Sequence, residues 1–82
     1  MTQNNTWRLQ AVLFDKEAFD PFAARHYLKI SKIPRLKRVH ETDKYYRYRI
    51  RDPKEFDEAT FRTVRMSPHI VYIMGNLNKH DA

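Results

Sequence analysis

Seven residues constrain this chain more than any others. Tyr45-Tyr46-Arg47-Tyr48-Arg49-Ile50-Arg51 alternates with a period of two, and that period belongs to a β-strand whose side chains point to opposite faces in turn. Tyr46, Tyr48 and Ile50 share one side. Tyr45, Arg47, Arg49 and Arg51 share the other. A row of guanidinium groups is costly to bury without partners. The sheet that holds this strand must therefore have one covered face and one open face.

The remaining segments supply that sheet and its cover. Residues 7–14 read as a first strand, with Trp7, Leu9, Ala11 and Leu13 on one face. Asp20-Pro21 is a helix start: aspartate caps, and proline at the first helical position loses no needed N–H. The helix is predicted from Pro21 to about Ile30 or Lys32, with Ala24, Tyr27, Leu28 and Ser31 inward and Pro34 as the stop. Phe19, just before the cap, is placed to pack on Ala24 as a hydrophobic staple. Residues 36–41 read as a second strand, joined by Thr42-Asp43-Lys44 to a third over 45–51. Residues 54–58 read as a helical turn or loop, 60–66 as a fourth strand and 70–74 as a fifth. Ile70-Val71-Tyr72-Ile73-Met74 is apolar throughout and reads as the most buried strand. The β-α-β-β-β-β order predicts a single small α+β domain, a mainly antiparallel sheet with one helix packed on one face. Residues 1–6 are expected to be a disordered N-terminus, 7–75 the domain and 76–82 a flexible tail.

Composition narrows the function classes. An 82-residue chain is one domain with a thin core. Its 41% hydrophobic content suffices for folding and argues against disorder. There is no cysteine, hence no disulfide or thiolate metal site. The single glycine rules out a glycine-rich phosphate loop. The opening Met1-Thr2-Gln3-Asn4-Asn5-Thr6 lacks the basic and apolar regions of a signal peptide, and no apolar run is long enough for a bilayer. A soluble, non-secreted protein is expected.

The net charge of +6 is concentrated. Residues 25–51 carry ten Lys/Arg and only two acids, Glu41 and Asp43. Such a concentration marks a directed surface. Arg47, Arg49 and Arg51 stand about 6.5–7 Å apart per step, on the scale of successive phosphates along a nucleic-acid strand. Guanidinium groups hold phosphate through paired donors. Tyr45 heads the row and can stack on a base or donate to phosphate. Arg38, Arg35 and Lys37 can widen the patch from the second strand, and Arg62 and Arg65 from the fourth. The plainer reading is a solvated sheet face, since arginine's long apolar stem suits a strand. An acidic protein partner is a third.

Other constellations have simpler explanations. His26, His40, His69 and His80 match no metal-ligand spacing. Asp15, Glu17 and Asp20 resemble a nuclease carboxylate cluster, but acids also belong at a helix start. Glu41-Thr42-Asp43-Lys44 has turn composition. Tyr46 and Tyr48 face away from the arginines and read as core. No catalytic residue, metal or cofactor is expected.

Taken together, Ala11-Val12-Leu13-Phe14-Asp15-Lys16, Phe19, Ala24-Arg25, Tyr27-Leu28, Tyr45-Tyr46-Arg47-Tyr48-Arg49, Arg51-Asp52-Pro53, Phe61-Arg62-Thr63 and Ile70-Val71 resemble a small domain of tailed phages and large DNA viruses. That domain occurs alone or attached to virion-assembly proteins. The likeness spans roughly residues 10–75. Similar domains tend to carry glycine where this chain has Ser67-Pro68-His69. The resemblance implies a viral protein acting in the host cytoplasm or nucleus, or in the virion, and carries no catalytic residues over. The expected function is non-enzymatic nucleic-acid binding, DNA more than RNA. A virion-assembly or other protein-interaction role is the alternative, and a small inhibitor of host defence or metal-dependent nuclease is a third. Unpaired sheet edges make a homodimer compatible with the pattern.

Overall fold

β1 (Trp7–Asp15) is the strand around which everything else is arranged. In the computed structural model, which describes residues 7–36 and 38–78, it lies third in a five-stranded sheet ordered β2-β3-β1-β5-β4. The other strands are β2 (Val39–Glu41), β3 (Tyr45–Arg49), β4 (Phe56–Ser67) and β5 (Ile70–Leu77). All pairings are antiparallel. One helix, α1 (Pro21–Ile30), packs on one face, and a 3-10 turn at Pro53–Glu55 leads into β4. This is the α+β architecture expected from the element order. Residues 1–6, Lys37 and residues 79–82, including His80, lie outside the described residues. Among those described, no helix is long and apolar enough to cross a membrane.

The helix begins and ends for identifiable reasons. Asp20 Oδ1 accepts the Ala23 N–H at 2.7 Å, and Pro21 sits in the first turn. At the far end Ser31 is the cap and Lys32 takes a left-handed φ of 58°. Ile33 N–H then reaches Leu28 O at 2.9 Å and Lys32 N–H reaches Lys29 O at 3.1 Å. This is the paired bonding of a Schellman motif. Ile33 packs against the core cluster that contains Leu28. Helix and sheet meet through Val12, Phe14, Tyr48 and Ile70 from the strands, and Ala24 and Leu28 from α1. Phe14 sits at the centre, with its ring 5.0 Å from Phe19, 5.4 Å from Tyr27 and 5.7 Å from Tyr48. Fully burying such rings contributes roughly 1.5–3 kcal/mol each. Ser31, expected to face inward, is exposed.

Four sequence expectations are corrected. β1, not β5, is the most buried strand: β5 has the central β1 on one side and the edge strand β4 on the other, and four β1 residues are buried against three of β5. β2 spans three residues because only Val39, His40 and Glu41 enter the ladder with β3. β5 continues to Leu77 because Phe56 and Asp57 pair with Leu77 and Asn76. Gly75 therefore does not end the strand. It makes room for rings: a Cβ there would meet Phe61 at 2.7 Å and Phe56 at 3.0 Å.

The fourth correction decides which side chains share a face. β1 contains a bulge between Leu9 and Ala11, with Gln10 as the extra residue. Gln10 O accepts the N–H groups of Ile50 (2.8 Å) and Arg51 (3.3 Å), and Gln10 Nε2 donates to Arg51 O at 2.9 Å. The bulge breaks the expected Trp7-Leu9-Ala11-Leu13 row. Leu9 packs on the helix side with Met74 as its β5 partner. Ala11 and Leu13 belong to the opposite face, and Arg8 joins them.

Candidate nucleic-acid interface

The face without a helix is assembled from cross-strand partners, which in antiparallel sheets stand side by side. One row runs across all five strands: His40, Arg47, Leu13, Val71, Arg65. The next holds Arg49, Ala11, Ile73 and Thr63. The face thus has an apolar floor of Ala11, Leu13, Val71 and Ile73, with arginines on both sides. Ala11 and Val71 are buried yet lie outside the helix-side cluster. The arginine stems explain part of that cover. Arg47 lies low enough that its Nε is buried without a hydrogen-bond partner.

The structure separates the predicted site residues. Arg47 and Arg49 stand together on the open face, opposite the core side chains Tyr46 and Tyr48, as the alternation required. Neither enters any of the ion pairs among the described residues. Tyr45 heads the same row beside Asp15. Arg38 is exposed just before β2. Arg51 is not part of the stripe, because β3 ends at Arg49 where the chain turns toward the Gln10 bulge. Its guanidinium instead grips Glu55 Oε1 through Nε (3.1 Å) and a terminal nitrogen (2.9 Å). Arg62 points to the helix side: it pairs with Met74 and lies 5.4 Å from the Trp7 ring. Arg35 lies over the ring of Tyr48 at 5.6 Å, again away from the stripe. Lys37 is outside the described residues. Arg65 is on the open face, where its guanidinium donates to Pro68 O at 3.1 Å.

Arg8 and His40 were not singled out by sequence. Arg8 reaches this face only through the bulge. The one sequence hint is a polar Gln10 within an otherwise apolar stretch, a residue that needs a partner if buried.

The carboxylates near the turns have structural roles. Asp15 Oδ1 accepts the Glu17 N–H at 2.9 Å and Oδ2 lies 3.3 Å from His69 Nδ1. The Glu17 N–H, and then His69, hold the Asp15 carboxyl below its ordinary value. Glu41 is paired with Lys16 at 2.7 Å. An open depression of about 320 Å³ lined by Asp15, Lys16, Glu17, Asp43, Lys44 and Tyr45 mixes both charges. Among the described residues no group of three or more His, Asp or Glu side chains is placed to hold a metal ion.

The fold and this face define a small antiparallel α+β domain with one helix-covered and one basic, open side. No family model matches the chain, and neither a curated protein nor a solved structure is detectably similar to it.

Proposed function

We propose that the open sheet face binds nucleic acid through its phosphates, without catalysing a reaction. The observation that carries this reading is the pair Arg47 and Arg49, together on the face opposite the helix and outside every ion pair of the described residues. Arg65, Arg8 and Arg38 extend the positive field, and Tyr45 adds an aromatic edge. Asp15, which pairs with Tyr45 at the end of the row, is already engaged by His69. The likeness of the Tyr-Tyr-Arg-Tyr-Arg strand to virion-associated domains supports a place on viral DNA.

The test is fluorescence anisotropy with labelled oligonucleotides over a salt series. Wild-type affinity falls as salt rises, because each phosphate neutralised releases counterions. Arg47→Gln/Arg49→Gln lowers the slope of log K against log salt by about 2 while thermal unfolding stays near wild type. Arg51→Ala leaves the slope unchanged, since that side chain is held by Glu55. A protein that binds no nucleic acid at low salt would refute the proposal.

A second reading draws on a different surface. β4 is a twelve-residue edge strand with Val64 and Met66 41% and 52% exposed. An edge of this kind can accept an added strand from a protein partner. Sedimentation and pull-down with a β4 variant such as Val64→Lys distinguish it from the arginine face.

A further inference from the structure

We infer that the ligand of the open face is a single-stranded nucleic acid whose bases or sugars lie on Leu13 and Ile73, the half-buried residues of the apolar floor; this rests on the phosphate-binding reading above. Shape argues first. Five strands spaced by about 4.8 Å make a face roughly 19 Å across. The major groove of a duplex is about 12 Å wide and admits a helix or a two-stranded ribbon. This sheet cannot enter it, so a duplex meets the face only along its phosphate ridges.

Chemistry argues second. Arg47 on β3 and Arg65 on β4 flank the apolar part of one cross-sheet row, about 14 Å apart by strand spacing. Between them lie Leu13 and Val71, with Ile73 in the next row. A duplex ridge would set hydrated phosphates over that apolar strip and leave it unmatched. A single strand matches both parts. Its phosphates, spaced like Arg47 and Arg49, take the arginine row. Its unstacked bases turn their apolar faces onto Leu13 and Ile73. Sequence-tolerant single-strand binders combine a basic track with aromatic side chains on which bases stack; here Tyr45 heads the arginine row and aliphatic side chains form the floor.

The experiment uses the wild-type chain, so no variant needs to fold. Three probes about 12 nucleotides long are compared at one salt concentration: an oligothymidine strand, a strand of the same length with abasic sites, and a duplex. The expected result is oligothymidine binding at least about tenfold tighter than both others. Equal affinity for the abasic strand would show that only phosphates are read. It would overturn this inference and leave the phosphate-binding proposal standing. Tighter binding of the duplex would do the same. Failure of all three probes to bind would overturn both.

Discussion

Lys32 is the described residue that works against its own conformation. Among the described residues it is the one non-glycine with positive φ, at the Schellman position where glycine is usual. A left-handed conformation costs an L-residue roughly 1–2 kcal/mol, part of which glycine returns as unfolded-chain entropy. Lys32→Gly is therefore expected to stabilise the domain by about 0.5–1 kcal/mol, seen as a higher urea midpoint with an unchanged m-value. Gly75 is the converse case. Its φ is ordinary, and what matters there is space: Phe61 and Phe56 occupy the volume a Cβ would need. Gly75→Ala should cost about 1–3 kcal/mol by overpacking. The cost should shrink when Phe61→Ala is already present, because the two sites share one contact. Additive costs in the double variant would refute this account.

At the scale of elements, the bulge in β1 organises the open face. Were Gln10 an ordinary ladder residue, regular alternation would turn Trp7, Arg8 and Leu9 to the wrong sides. The bulge also stops β3, because Ile50 and Arg51 bond to Gln10 O. Deleting Gln10 keeps Leu9 on the helix side, since it then directly precedes Ala11, but removes three hydrogen bonds and should lower the melting temperature by more than loss of the side chain alone. Gln10→Ala should lower it less, since the lost side-chain bond to Arg51 O contributes about 1 kcal/mol. β4 shows a related device. Its ladder with β5 shifts between Asp57 and Arg62. There Thr60 Oγ1 accepts the Asn76 N–H at 2.8 Å, a side chain bonding within the ladder where the register shifts.

At the scale of the whole molecule, two layers meet across a mostly apolar contact with polar ties, among them the Tyr48 hydroxyl of β3 donating to Pro21 O of α1 at 3.4 Å. The hydroxyls of Tyr27 on α1 and Tyr72 on β5 are 2.9 Å apart. Burial, then the hydrogen bond to Tyr27, push the Tyr72 hydroxyl up to about 12 from its ordinary 10.0. A raised folded-state value stabilises the fold in full below pH 10. That contribution is lost as pH rises from 10 toward 12. Melting temperatures should fall more steeply over this interval for wild type than for Tyr72→Phe. Parallel curves would show that Tyr72 does not sense the fold.

How much of this was legible beforehand depended on range. The helix ends, the hairpin at Thr42 and the two-faced third strand are local matters, written in spacings of two to four residues. Asp20, Pro21, Tyr46 and Tyr48 stand where that spacing put them. So do Arg47 and Arg49, because a strand's alternation needs no knowledge of its neighbours. The failures at Arg51, Arg62, Arg35 and Arg8 share one cause. Each needed to know which strand lies beside which, and in what register. Arg51 leaves its strand because of a backbone oxygen 41 positions away, and Arg8 changes face through the same bulge. The sequence by itself thus determined the order and type of the elements, the two faces of β3 and the pair of arginines on the open one. Only the tertiary structure decided the strand order, the bulge and the apolar floor between the arginine rows. Those rest on hydrogen bonds between segments far apart in the chain, and local spacing carries no information about such pairings.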